Sequence, residues 1–306
     1  MDLMIPILTT CYAAGMLSRI VLFSVGFIAV GGLLVGCGGS SGSDSGAGKV
    51  VAAFYPLAYA AEQITGNSVV VRNLTPAGAE PHDLELTAGD VRDIDGAKLV
   101  LYLGNGFMPG LETAVQERSG PSLDLLAGET LRPEAGDGGA SDPHIWLDPV
   151  LYAAMARSIG AALGDDAAGG RLVRRLDRLD AEFRRGLARC QRRQIVTSHA
   201  AFGYLAERYG LKQIPLEGLA PEAEPSARDI ARLVDVVRNS GATTVFFETL
   251  ISPKLAQTVA REAGGETAVL NPLEGLTDDE IAAGADYFSV MRANLGALQK
   301  ALGCRS

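Results

Sequence analysis

Lys49-Val-Val-Ala-Ala-Phe54, Ser68-Val-Val-Val-Arg-Asn-Leu74 and Lys98-Leu-Val-Leu-Tyr-Leu103 decide how this chain folds. Each is a short apolar run of the length expected of a buried strand. Pro56 opens a helical stretch that ends at Gly66, and Thr87 can cap a short helix through Asp95. Gly104-Asn-Gly106 closes the third strand ahead of a helix around 110–118. Strands alternating with helices predict α/β units with parallel sheets.

The second half of the chain repeats the theme. Gln194-Ile-Val-Thr-Ser198, Gln213-Ile-Pro-Leu216, Thr243-Thr-Val-Phe-Phe247 and Thr267-Ala-Val-Leu270 read as short apolar strands. Helix starts are marked between them by Ser226 with Asp229, by Ser252-Pro253, and by Thr277 with Glu280 in a capping-box pattern. A last helix is expected over 286–302. Between the halves, Leu172, Leu176, Leu179, Phe183 and Leu187 recur at helical spacing in an otherwise charged stretch, 171–189. That pattern predicts a solvated helix packed by its apolar stripe. The expected architecture is α/β: two lobes with central, mostly parallel sheets, joined by a single long rigid helix. The first lobe covers 49–164, the connecting helix 165–190 and the second lobe 191–306.

The N-terminus predicts export. Arg19 precedes an uncharged apolar run from Ile20 to Leu33, the pattern of a secretory h-region. The run is shorter than the roughly 20 residues that span a bilayer, and it ends in Leu34-Val-Gly-Cys37. This phrase resembles the bacterial lipobox, whose cysteine is lipidated after cleavage. Residues 1–36 are therefore expected to be a signal peptide, with 37–48 a lipidated, Gly/Ser-rich flexible tether. Residues 1–15 lack any basic residue and fit no n-region, which points to Met16 as the start. A diacylated Cys37 would hold the protein at the outer face of a membrane.

The net charge of −9 argues against nucleic-acid binding, which calls for a basic patch. Of four cysteines, Cys11 and Cys37 fall in the leader and at the lipid site. In an oxidising compartment the remaining pair, Cys190 and Cys304, favours a disulfide over two free thiols. Such a bridge would tie the end of the long helix to the last helix.

Function is read from the histidines. The chain has three, in Gly78-Ala-Glu-Pro-His82-Asp83, Ser141-Asp-Pro-His144-Ile-Trp-Leu-Asp148 and Val196-Thr-Ser-His199-Ala-Ala-Phe202. One histidine in such a phrase is more often an ordinary core or surface residue. All three at strand-to-helix junctions, two with acids beside them, point instead to a metal site assembled by tertiary structure. There is no His-Glu-x-x-His helix and no cysteine pair at zinc-finger spacing. Asp83 is a candidate to orient the neighbouring imidazole or simply an exposed helix-start acid. Trp146 is either a shield for the site or an ordinary core residue.

These phrases, together with Phe54-Tyr-Pro56, Tyr209-Gly-Leu211, Val245-Phe-Phe-Glu248 and Asp286-Tyr-Phe-Ser-Val-Met-Arg-Ala-Asn-Leu295, resemble the metal-binding lipoproteins of zinc and manganese ABC importers, the ZnuA/TroA-like cluster A-I. The likeness covers nearly the whole mature chain. It implies two α/β lobes, one connecting helix and a metal bound in the cleft between lobes. Manganese members pair two histidines with two carboxylates, and zinc members tend to use three histidines. His199 at the third position, and the preference of imidazole-rich sites for zinc, favour Zn2+ over Mn2+. The family supplies a fourth ligand from the loop after a late strand, here Leu270-Asn-Pro-Leu-Glu274-Gly-Leu276. Glu274 is the first candidate against water, with Glu248 and Glu80 behind it. The His-rich loop of many zinc members is replaced here by the short 134–142 segment, which has few possible ligands.

The resemblance implies a non-enzymatic carrier that captures Zn2+ and delivers it to a cognate ABC permease and its ATPase. The chain is expected to act as a monomer held to the membrane through its lipid. The alternatives are a manganese-binding counterpart and a membrane-anchored zinc hydrolase, since three histidines plus water also describe a catalytic zinc. An adhesin ranks last.

Overall fold

The computed structural model describes residues 48–66, 68–133, 141–219 and 227–305. The leader, Cys37, the rest of the tether through residue 47, most of the 134–142 loop and Ser226 lie outside them. The first sheet is built from β1 (Val50–Ala52), β2 (Val71–Asn73), β3 (Leu99–Tyr102) and β4 (Ser122–Asp124). Its strands are all parallel, in the order β2-β1-β3-β4. The second sheet holds β5 (Gln194–Thr197), β6 (Lys212–Pro215), β7 (Thr244–Phe247) and β8 (Glu266–Val269). Its order, β6-β5-β7-β8, again all parallel, repeats that of the first. The expected α/β architecture with two parallel sheets is therefore present. β4 was not expected: three residues with no apolar run carry no strand signal.

Helices alternate with the strands where start signals place them. In α1 (Tyr55–Thr65) Pro56 falls in the first turn, where its missing N–H costs nothing. In α2 (Ala88–Asp95) Thr87 and Asp90 form a reciprocal capping box. α3 (Pro109–Glu117) fills the span between β3 and β4. The Asp148 carboxylate accepts the Val150 and Leu151 N–H groups at the head of α4 (Pro149–Leu163), satisfying two donors that no helix can pair internally. After His199 the chain bends before α6 (Gly203–Arg208) begins. In α8 (Lys254–Ala263) Pro253 occupies the N-cap rather than the first helical position. α7 (Ala227–Ser240), α9 (Asp278–Ala282) and α10 (Tyr287–Leu302) complete the fold.

The long helix of the middle segment is α5 (Asp166–Leu187), 22 residues long. Its stripe of Leu172, Leu176, Leu179, Phe183 and Leu187 is buried throughout. α5 packs closely on α4 because Gly160 and Gly169 face each other: a Cβ on Gly160 would lie 3.2 Å from the Gly169 Cα. A disulfide joins Cys190 and Cys304, just beyond the ends of α5 and α10, as expected.

Among the described residues, the buried apolar side chains form two clusters. The larger runs from β1 and β3 through α1, α4 and α5 to α10, and includes Leu270, Leu273 and Leu276. The smaller lies within the second half, where Val196 and Val245 meet Val234, Val237, Ala256 and Val259 of α7 and α8.

Candidate metal centre

His82 stands on a 3-10 turn (Pro81–Asp83) in the connection after β2. Glu80 caps the turn, accepting the His82 backbone N–H. The imidazole packs edge-on against Phe107 with ring centroids 4.7 Å apart. His144 heads a second 3-10 turn (Ile145–Leu147) that leads into α4. His199 lies two residues beyond the end of β5. Parallel strands in α/β sheets carry their ligand crevices at such C-terminal ends, and here both sheets contribute.

Each of the two fully buried imidazoles is braced by a carboxylate. Asp142 Oδ1 lies 2.8 Å from His144 Nδ1 and also accepts the His144 backbone N–H at 3.0 Å. Glu248, at the end of β7, holds His199 Nδ1 and the Ser198 hydroxyl through its Oε1. A proton on Nδ1 directed at a carboxylate leaves Nε2 with its lone pair free. The His199 carbonyl is fixed as well, by Thr197 Oγ1 at 2.7 Å and Gln213 Nε2 at 2.9 Å.

The three Nε2 atoms converge on Glu274, a fully buried carboxylate in the connection after β8. Glu274 Oε1 is 3.0 Å from His144 Nε2 and 3.5 Å from both His82 Nε2 and His199 Nε2. One donor atom from each of these residues lies within 4.8 Å of the others. A tetrahedral zinc with bonds of about 2.0–2.1 Å spaces its ligands roughly 3.3–3.5 Å apart, so small adjustments suffice to close the four donors around an ion. His82 Nε2, His199 Nε2 and Glu274 Oε2 are buried without hydrogen-bond partners. Orphaned atoms of this kind are costly unless something else satisfies them, and a cation among the four donors would do so for the two nitrogens.

The electrostatics are those of a mutually charged cluster. Burial opposes charge on His144, yet Asp142 and Glu274 outweigh it and raise the imidazole above its ordinary range. The same contest, with Glu248 and Glu274 on the winning side, raises His199 well above its usual value. Burial would push the Glu274 carboxyl up, but the charge of His199 foremost, with the hydrogen bond from His144 and the nearby His82 imidazole, holds it well below. Glu80, desolvated and facing Glu274, is pushed up to about 8.

The sequence expectations fare unevenly against this geometry. His82, His144, His199 and Glu274 come together. Glu248 sits on the Nδ1 side of His199 rather than in the cluster, and Glu80 caps the His82 turn. Asp83 is exposed; the carboxylates that hold imidazoles are Asp142 and Glu248. Asp142 was quoted with His144 but given no role, although an acid two residues before a histidine can take both its backbone N–H and its Nδ1. Trp146 is fully buried, its ring 5.1 Å from that of His144 and 4.8 Å from Phe54. Its indole N–H donates to the Pro272 carbonyl at 2.7 Å, so it supports the site as well as the core.

Two parallel α/β sheets contributing three imidazoles and one carboxylate to a buried cluster define a class of protein able to hold a transition-metal ion. The family model described as zinc-uptake complex component A, periplasmic, matches residues 50–301, and the chain belongs to that family. It is 34% identical over 303 residues to the high-affinity zinc uptake system protein ZnuA of Bacillus subtilis, covering 90% of this chain and 95% of that one. The zinc-binding protein AdcA of Streptococcus pyogenes serotype M1 is 35% identical over 284 residues, 82% of this chain. The chain spans about half the length of the AdcA relatives it matches, 55% of that protein. Among solved structures, the Zn(II)-bound ZnuA-like domain of Streptococcus pneumoniae AdcA superposes with a TM-score of 0.72 at 34% identity, over 84% of this chain and 99% of that one. The laminin-binding protein Lmb of Streptococcus agalactiae, described as bifunctional with adhesin and metal-transporting activity, gives 0.75 at 28% identity, over 83% and 99% of the two chains.

Proposed function

We propose that this protein is the extracytoplasmic zinc-binding component of an ABC importer, with His82, His144, His199 and Glu274 as the ligands of the transported ion. The observation that carries the reading is the convergence of three Nε2 atoms on Glu274 Oε1, two of those nitrogens buried without partners. Three imidazoles and one carboxylate suit zinc better than manganese, which favours oxygen donors and higher coordination. The family match and the zinc-binding relatives support the same reading.

The site belongs to a carrier rather than an enzyme. A catalytic zinc keeps one position open for water, whereas here Glu274 takes the fourth. In this reading 49–164 and 191–306 act as two lobes, with 165–190 a rigid connector that permits only small closure. Cys37 carries the lipid that holds the monomer at the outer face of the membrane, where it meets its permease and the attached ATPase. A Zn2+ and Mn2+ titration of the purified mature protein, followed by metal analysis, tests the proposal. Equimolar zinc retention with far weaker manganese binding is expected. Failure to retain zinc, or metal-dependent turnover of an ester, phosphate or peptide lost in His144→Ala, would overturn it.

A further inference from the structure

The Glu274 loop is held in an unusual way. Residues 270–276 are buried throughout, and a buried loop must find partners for its backbone polar groups. Asn271 and Asn294 provide them reciprocally: the Asn271 N–H donates to Asn294 Oδ1 at 2.9 Å, and Asn294 Nδ2 donates to the Asn271 carbonyl at 2.7 Å. Asn271 Oδ1 then accepts the Leu273 N–H at 2.7 Å, while its Nδ2 donates to Glu280 Oε1 and Thr249 Oγ1, each at 3.0 Å. Leu273, next to Glu274, adopts a left-handed backbone with φ of 59°, a conformation strained for any residue but glycine. A buried, strained turn persists only when its surroundings over-determine it.

From this arrangement we infer that Asn294, on α10, is a positioning residue for the fourth metal donor, acting through Asn271 and the Leu273 turn. The pair fixes where Glu274 Oε1 stands relative to the three imidazoles, and so fixes a compact four-donor geometry. A carboxylate that cannot swing suits a tetrahedral ion; one free to rotate or become bidentate accommodates ions of higher coordination. The inference rests on the reading of Glu274 as a metal ligand. Neither asparagine touches the donor atoms of the cluster, so both act at one remove.

The test is a double-mutant cycle on the full-length protein, read by Zn2+ and Mn2+ affinity and by the visible absorption of the Co2+-substituted site. Asn294→Ala is expected to weaken zinc by roughly 10–100-fold, the usual cost of removing a support behind a ligand. Manganese affinity should fall less, and the intense tetrahedral cobalt bands should weaken. Asn294→Ala added to Glu274→Ala should cost little further zinc affinity, because residues acting through one another are not additive. Asn294→Asp, which keeps the acceptor for the Asn271 N–H but faces the Asn271 carbonyl with a second acceptor in place of the donor, should leave most of the loss in place. If Asn294→Ala lowers thermal stability but leaves zinc affinity and the cobalt spectrum unchanged, or if the double variant is fully additive, the positioning role is overturned. If Glu274→Ala alone leaves zinc affinity unchanged, the ligand reading fails instead, and the two failures are distinguishable.

Discussion

The two halves share a strand order yet differ in how they are held. The β1 and β3 strands of the first sheet lie in one continuous apolar core with α1, α4, α5 and α10. In the second half, α7 and α8 cover Val196 and Val245 through a smaller, separate cluster. The site joins these unequal halves. His82 and His144 come from the first, and His199 comes from the second. Glu274 follows a strand of the second sheet, but its loop is hydrogen-bonded to Trp146 and Gly78 of the first half. The second sheet therefore divides its strands between two cores: Ile195 and Phe246 join the larger one, while Val196 and Val245 face the smaller.

The largest expected effect separates the two cores. Trp146→Ala removes a fully buried ring from the main core and should cost about 3–5 kcal/mol. Val245→Ala, in the smaller cluster, should cost about 1–3 kcal/mol. Denaturant unfolding measures both, and a zinc titration of each variant sharpens the contrast. Trp146→Ala should weaken metal binding, because the ring packs on His144 and holds the Pro272 carbonyl, whereas Val245→Ala should not. Equal costs, with equal effects on zinc, would mean that the two cores act as one.

The supports behind the imidazoles come next. Asp142→Asn and Glu248→Gln each remove the charge that orients one histidine, one variant in each half. Each is expected to lower zinc affinity by roughly 10–100-fold, measured by competition with a chromophoric chelator. A loss confined to one variant would show that only one half is electrostatically braced.

The smallest step is in pH. Metal needs neutral imidazoles, so protons compete with it. His144 and His199 are both raised by their carboxylates once burial is outweighed. Protonation therefore begins above the ordinary histidine range, and the metal-free state gains protons as pH falls. Zinc affinity should decline steadily between about pH 8 and pH 5, and neutralising Asp142 or Glu248 should move that decline to lower pH. An affinity flat across this range would contradict the competition.

Much of this was legible in the sequence, because apolar runs, caps and glycine stops act locally. Thr87 with Asp90, and Thr277 with Glu280, both form the capping boxes their spacing suggests. The histidines were legible because none was spent elsewhere. Glu274 was weighed only through a family likeness, since nothing local distinguishes it from Glu248. Their roles diverge through long-range placement: one carboxylate meets three Nε2 atoms, the other a single Nδ1. Asp83, left open between an imidazole partner and an exposed acid, is exposed: adjacency in sequence does not make contact. The Asn271–Asn294 pair spans 23 positions, and no spacing rule reaches that far.

The chain contains a single tryptophan, and it is Trp146, buried with its ring against His144 and its indole N–H on the loop that carries Glu274. Its emission is consequently free of interference from any other indole. An ion arriving at the cluster alters the charge beside that one fluorophore. The protein carries its own optical probe, placed to follow loading and release in real time without a label.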